Sequence, residues 1–110
     1  MIIVSVLRRK DNGILGFEVE GHAGYAKSGE DIVCAGVSAV TVGTVNSIEE
    51  LTGIVMDSKM KNGFLSASLP SVVPPGALER AELLLASLVV MLRTIEDSYG
   101  KYIQIQEVTI

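Results

Sequence analysis

The sequence predicts an α/β fold with the element order ββαββαβ, in which two helices pack with a mixed or antiparallel sheet of about five strands. Two observations lead to this prediction. Asn12-Gly13 and Asn62-Gly63 each separate two apolar runs, as in tight β-hairpins. Two longer segments without internal turn residues have the start and stop signals of helices. The 110 residues suffice for one domain, spanning 1–110, with a buried core.

The first hairpin is predicted to hold β-strands on both sides of Asn12-Gly13. Branched apolar residues dominate from Ile2 to Arg9, which is typical of a strand. From Leu15 to Glu20 apolar and polar residues alternate, as in a half-buried strand. This second strand ends at Gly21-His22, so we expect His22 to lie where strand becomes loop.

The segment from Asp31 or Ile32 to Thr52 is predicted to be a helix. Its many valines favour a strand, but the run is far longer than an ordinary strand. Asp31 is suited to be the N-cap, and Gly53 to be the stop after the last turn. Because the segment is apolar nearly all round, we expect burial on more than one face. Three small residues would let another backbone approach closely: Gly36, Ala39 and Gly43.

The second half of the chain repeats the hairpin, helix and strand pattern. Ile54 to Lys61 and Phe64 to Leu69 are the predicted strands of the second hairpin. Prolines precede the second helix at positions 70, 74 and 75. Its amphipathic stripe consists of Leu78, Ala81, Leu85, Leu88, Leu92, Ile95 and Tyr99. Gly100 ends this helix, and Tyr102 to Thr109 is the closing strand.

Composition and charge exclude several classes of protein. The net charge of −4 argues against nucleic acid as a direct partner. The single cysteine permits no internal disulfide and suits a reducing compartment. Basic residues follow the first apolar run instead of preceding it, unlike a signal peptide. Polar residues interrupt the run from Ile32 to Ile48, which argues against a membrane span. We therefore expect a cytoplasmic protein.

The only histidine and the only cysteine, His22 and Cys34, flank one glycine-containing loop. With Asp31 as N-cap, Cys34 is the third residue of the helix, where the helix dipole favours a thiolate. The free amides of that first turn are donors for a developing oxyanion. Ser38 lies one turn further along the same face. A loop of this length easily brings an imidazole beside the sulfur, so the residues indicate a nucleophilic thiol site.

Other interpretations of this stretch remain open or are disfavoured. A free cysteine usually behaves as a small buried apolar residue, so a structural thiol is an alternative. One histidine and one cysteine do not complete a zinc site, so no metal is expected. Gly24, Lys27 and Gly29 lack the contiguous Gly-Lys-Ser/Thr of a phosphate-binding loop, so no nucleotide cofactor is expected. Tyr25 and Lys27 either touch a substrate from the loop or face solvent.

A specific resemblance is carried by residues 21–48. Gly21-His22-Ala23, a loop containing Gly29, and Asp31-Ile32-Val33-Cys34-Ala35 are similar to the ribosomal-processing cysteine protease Prp family. The similarity continues through Val37-Ser38-Ala39 and through Gly43 to Ile48. The element order and the chain length also agree with that family.

This resemblance implies a function, a partner and a set of site residues. Prp enzymes remove the N-terminal extension of a large-subunit ribosomal protein before ribosome assembly, so the expected partner is that ribosomal protein precursor. The catalytic pair of the family falls on His22 and Cys34. The family is described as homodimeric, with a mobile loop between these two residues and without a cofactor. Supporting roles are expected for Asp31 and Ser38, and substrate or loop roles for Gly21, Gly24, Tyr25, Lys27 and Gly29.

Asp31 has three possible roles: to cap the helix, to orient His22, or to do both in different states. Two alternative functions remain open beside catalysis. The first is a non-catalytic assembly factor that binds a ribosomal protein. The second is a structural or regulatory dimer with a buried thiol.

Overall fold

Five strands and two helices follow one another in the predicted order ββαββαβ. The computed structural model describes all residues, 1–110. The elements are β1 (Ile2–Arg8), β2 (Ile14–Glu20), α1 (Ile32–Thr52), β3 (Asp57–Lys61), β4 (Phe64–Ser68), α2 (Ala77–Tyr99) and β5 (Ile103–Thr109). The predicted fold class is therefore confirmed.

The sheet is mixed, with the strand order β3-β4-β2-β1-β5. β1 and β5 run parallel, with Ile2 opposite Ile103, and the other three pairings are antiparallel. In the β2–β4 pairing, Glu20 lies opposite Phe64. The end of β2 therefore lies beside the turn between β3 and β4, although this turn is far from β2 in the sequence.

β3 is shorter than predicted. It begins at Asp57 because this residue forms the last pair with β4, opposite Ser68. The preceding residues Ile54 and Met56 are apolar because they belong to the core, where they are 2% and 4% exposed. Their composition is that of a strand, but they have no neighbouring strand to pair with.

The core lies between the helices and one face of the sheet. Its largest side chains come from β1, β2, α1, α2 and β5 and include Val4, Val6, Phe17, Ile48, Leu85, Leu88, Leu92 and Ile103. The opposite face carries a polar row in which Ser5 pairs with Glu18 on one side and Gln106 on the other. This alternation is that of a sheet with one solvated face.

α1 buries one stripe and not several faces, so that expectation is wrong for the single chain. The buried residues are Val33, Val37, Thr41, Thr44, Ile48 and Thr52, whereas Ile32 and Leu51 are 55% and 66% exposed. The reason is that α2 is the only helix beside α1. A Cβ on Gly43 would meet nothing within 4 Å, and on Gly36 only Ile95 at 3.8 Å.

α1 is also long and apolar enough, by length and composition, to cross a membrane, despite its interrupting polar residues. One such helix is weak evidence for a span, because the core helix of a soluble protein passes the same test. Here its buried stripe packs in the core with α2.

Candidate active site

One residue, Gly21, separates His22 from the end of β2, and its backbone conformation is one that only glycine adopts easily. The preceding residue, Gly21, has a φ of 88°. A Cβ at this position would also collide with the carbonyl oxygen of Met1. The Gly21 amide donates a 2.8 Å hydrogen bond to the carbonyl oxygen of Gly63 in the β3–β4 turn. The backbone that carries His22 is thereby held between β1 and this turn.

Cys34 lies in the first turn of α1 and is the third helical residue, as predicted. The N-cap is Asp31, whose side chain accepts hydrogen bonds from the amides of Val33 and Cys34. The thiol is partly exposed. A fully buried structural thiol is therefore not what the fold contains.

The loop after His22 brings its backbone against the sulfur of Cys34. The Ala23 amide donates to Sγ at 3.3 Å, and the Ala23 side chain is only 4% exposed, which fixes this approach. His22 and Cys34 both line the same two cavities. The structure therefore brings the single imidazole and the single thiol into one site, as the sequence predicts.

Asp31 is the polar centre of the loop. It is 8% exposed, and its Oδ1 accepts from Val33 and Cys34, both at 3.0 Å. Its Oδ2 accepts from Tyr25 at 3.0 Å and Ala26 at 3.3 Å. The hydrogen bond from the Cys34 amide is the largest effect that lowers the pKa of Asp31; burial opposes it. All four bonds go to backbone amides, so here the carboxylate caps α1 and ties down the loop without bonding to His22.

This capping changes the expected origin of the oxyanion donors. The first-turn amides of Val33 and Cys34 are already bonded to Asp31. They are not free to receive an oxyanion in this conformation, contrary to the expectation from a bare helix N-terminus. The amide aimed at the sulfur is that of Ala23, which precedes the helix in the sequence.

The remaining loop residues differ in how closely they contact the rest of the chain. Gly24 and Gly29 have φ values of 71° and 86°, and an added Cβ would contact nothing at either position. The ring of Tyr25 packs edge-on against Tyr99 and Tyr102, with centroid distances of 5.8 and 5.1 Å. Lys27 points into solvent, with its ammonium 3.8 Å from Glu30. In this conformation, neither Tyr25 nor Lys27 lines the two cavities that His22 and Cys34 share.

Two cavities meet at His22 and Cys34. One of about 350 Å³ lies between α1 and the β3–β4 hairpin, and its apolar lining includes Val37, Val42, Met60 and Leu65. The other, of about 510 Å³, lies beneath the loop and is lined mostly by polar groups and glycines, including Ser28, Asp31, Ser38 and Asn62. Ser38 and Asn62 line both. Such paired cavities around a thiol suit an extended ligand better than a compact one.

Several of these lining residues were not predicted from the sequence as site residues. The sequence predicts a turn at Asn62-Gly63, but only the β2–β4 pairing places this turn beside His22. Met60 lies on an edge strand whose residues are all exposed. No three His, Cys, Asp or Glu side chains come together as metal ligands would.

Comparison with known proteins settles the family. The family model of the cysteine protease Prp matches residues 1–104. The chain belongs to the Prp family. It is 41% identical over 101 residues to the ribosomal processing cysteine protease Prp of Bacillus subtilis, with 90% of each chain covered. To the Staphylococcus aureus protease of the same name it is 33% identical over 105 residues, covering 96% of this chain and 97% of the other.

Solved structures of the family share the fold. The chain is similar to the essential ribosomal processing protease Prp from S. aureus in complex with a covalently linked product peptide. That likeness has a TM-score of 0.87 at 31% identity and covers 98% of this chain and all of the other. A second S. aureus Prp structure, with a substrate peptide, has a TM-score of 0.82 at 30% identity, with the same coverage. The resemblance inferred from residues 21–48 is thus confirmed over the whole chain.

Proposed function

We propose that this chain is a cysteine endopeptidase that removes the N-terminal extension of a large-subunit ribosomal protein before ribosome assembly. Cys34 is the nucleophile and His22 the general base. One observation carries the proposal: the only thiol and the only imidazole open onto the same two cavities. The names of the curated relatives, which are ribosomal processing proteases, support the substrate class.

The reaction proceeds through a thioester. His22 takes the thiol proton as Cys34 Sγ attacks the carbonyl carbon of the scissile bond, forming a tetrahedral intermediate. Collapse of the intermediate breaks the C–N bond, and the imidazolium returns its proton to the leaving amine. Water, deprotonated by His22, then hydrolyses the thioester and releases the thiol. No cofactor enters the sequence.

The Ala23 amide supports the first step. It donates to Cys34 Sγ at 3.3 Å, which holds the sulfur against the loop that carries His22. The same amide is a candidate donor for the oxyanion once the sulfur has attacked the substrate. Asp31 contributes by position, because its bonds to Tyr25 and Cys34 hold both ends of the loop.

The substrate lies as an extended peptide along the two cavities. The glycine hinges at 24 and 29 let the loop move over it and exclude water. Tyr25 and Lys27 reach the peptide only after such a movement, because neither lines either of these two cavities here. Ser38 lines both cavities beside Cys34 and supports the packing and hydrogen bonding of the site.

The chain functions as a homodimer in the cytoplasm, where ribosomal proteins are made. Apolar residues left uncovered on the helices support the dimer: Ile32 and Leu51 on α1, and Leu83 and Val90 on α2, are each at least 55% exposed. Sedimentation velocity tests this assembly. A monomer at micromolar concentration would contradict it.

The cleavage reaction is tested with the precursor of the ribosomal protein, followed by intact mass. We expect one cut in the N-terminal extension, abolished in Cys34→Ala and His22→Ala. A control is Thr94→Ala, an exposed position on α2 whose hydroxyl bonds only to its own helix. Undiminished cleavage by Cys34→Ala would end the proposal, and binding without cleavage would instead indicate an assembly factor.

A further inference from the structure

The turn between β3 and β4 contacts His22 in a way that the reaction scheme does not use. We propose that Gly63 is a positioning residue that seats the imidazole of His22 in the orientation needed to reach Cys34. The inference rests on the proposed role of His22 as general base. It assigns a function to a turn whose sequence signals only a hairpin.

The contact is with the edge of the imidazole. A Cβ built on Gly63 would lie 3.0 Å from Nε2, 3.5 Å from Cδ2 and 3.7 Å from Cε1 of His22. The first of these distances is shorter than ordinary van der Waals contact, so a Cβ at position 63 requires the ring to shift by a few tenths of an ångström. The space that a side chain would occupy at position 63 therefore borders the imidazole edge, and glycine leaves it open.

The same residue also holds the backbone before His22. The carbonyl oxygen of Gly63 accepts the Gly21 amide at 2.8 Å, and the strands are in register up to this point through Glu20 and Phe64. The backbone before His22 and its imidazole ring thus both lie against the β3–β4 turn. Cys34 belongs to a different element, α1, so the position of this turn sets where the imidazole stands relative to the sulfur.

The glycine has a second reason to be present, which the experiment must separate from the first. Gly63 has a φ of 76°, a left-handed conformation that other residues adopt at a cost. Gly76 has the same φ of 76° and Gly53 a φ of 77°, yet an added Cβ would contact nothing at either position. Substitutions at 76 and 53 therefore reproduce the backbone strain without the contact with His22.

The test compares Gly63→Ala with Gly76→Ala and Gly53→Ala. Because the chain has one histidine, its imidazole proton resonances identify His22 without ambiguity. We expect Gly63→Ala alone to shift these resonances and to change the pH profile of Cys34 alkylation. For precursor cleavage we expect kcat to fall at least about tenfold below that of the two controls, with KM changed by less than about threefold, as for a misplaced catalytic group.

Two further measurements keep the proposal falsifiable if Gly63→Ala folds poorly. Gly63→Asn, matched with Gly76→Asn, tolerates the left-handed conformation better and still carries a Cβ. In the unaltered protein, nuclear Overhauser contacts between the imidazole protons and the Gly63 Hα protons are expected. Their absence would overturn the proposal.

Failure of this inference is distinguishable from failure of the proposed function. If the Gly63 variants match their controls in kcat and in the imidazole resonances, Gly63 does not position His22, while the protease function stands. If the unaltered protein does not cleave the precursor, the function fails. The imidazole resonances and Overhauser contacts then still decide whether Gly63 seats the ring.

Discussion

The carboxylate of Asp31 and the backbone amide of Cys34 are joined by a 3.0 Å hydrogen bond, so the residue that caps α1 also fixes the residue that carries the thiol. The other carboxylate oxygen accepts the amides of Tyr25 and Ala26. One side chain thus links the helix to the loop that leads back to His22. Changes at Asp31 should therefore separate the stability of the helix from the placement of the loop.

Asp31→Asn should loosen the loop while leaving α1 intact. An asparagine offers one carbonyl oxygen and one NH₂ group, so with the cap retained the NH₂ faces the donors of Tyr25 and Ala26. We expect faster hydrogen exchange at these two amides, unchanged far-ultraviolet circular dichroism, and kcat/KM lowered about tenfold. Asp11→Asn, in the first hairpin, is the control and should leave exchange at Tyr25 and Ala26 unchanged. Slower or equal exchange in Asp31→Asn would contradict this assignment.

The decline in the free energy of unfolding at low pH, here called the acid limb, should depend on Asp31. Its pKa is lowered in the folded protein from an ordinary value of 3.8, so the unfolded chain binds the proton more tightly. The stabilisation is fully present above the unfolded pKa and is lost as pH falls through the lower folded value. Urea unfolding between about pH 5 and pH 2 should show a shallower decline in Asp31→Asn.

The control for this pH dependence is again Asp11→Asn. Asp11 also has a lowered pKa, chiefly because of the hydrogen bond from the Gly13 amide and also because of Arg9. The substitution Asp11→Asn therefore removes a separate part of the loss of stability at low pH. The two effects should add, because the residues share no partners. An acid limb unchanged by Asp31→Asn would mean that the loop opens before the carboxylate is protonated.

Tyr25→Ala should free the loop from the end of α2. The ring makes two edge-on contacts, with Tyr99 and Tyr102, and aromatic pairs contribute about 0.5–1.5 kcal/mol each beyond area burial. We expect a loss of about 1–2 kcal/mol in the free energy of unfolding, measured in urea. Tyr25→Phe keeps the ring and should stay within about 0.5 kcal/mol of the parent chain. An equally large loss in Tyr25→Phe would assign the effect to the hydroxyl.

Gly21→Ala should be more damaging than Gly24→Ala. Both glycines have positive φ, 88° and 71°, so each alanine incurs the left-handed penalty of about 1–2 kcal/mol. Only at Gly21 does the Cβ also collide with backbone, the carbonyl oxygen of Met1. We expect Gly21→Ala to lose at least about 1 kcal/mol more than Gly24→Ala in urea unfolding. Equal losses would show that the N-terminal residue moves aside freely.

The sequence was sufficient for the element order and for the thiol at a helix start. Asp31 and Gly53 bound a segment too long for a strand, and both act as caps in the structure. These are local signals, because each depends on residues within a turn or two. Only the start of β3 differs from the prediction, because Ile54 and Met56 are buried as core residues and not as strand residues.

One feature of the site escaped prediction because it is non-local. Nothing in the segment Asn62-Gly63 shows that it faces His22; that depends on β4 pairing with β2. The prediction of free first-turn amides is wrong at Val33 and Cys34 for a local reason, because the aspartate that caps the helix occupies both amides. Both helix amides bond to Oδ1 of Asp31, while Oδ2 accepts the amides of Tyr25 and Ala26.

The clustering of Tyr25 with Tyr99 and Tyr102 gathers every tyrosine of a chain that has no tryptophan. Apart from the weak signal of phenylalanine, all of its ultraviolet fluorescence therefore comes from this tyrosine cluster. The cluster lies where the segment joining histidine and cysteine meets the end of the second helix. The tyrosines are therefore an intrinsic spectroscopic probe of that segment. Fluorescence anisotropy or near-ultraviolet dichroism can follow its displacement during turnover without any attached dye.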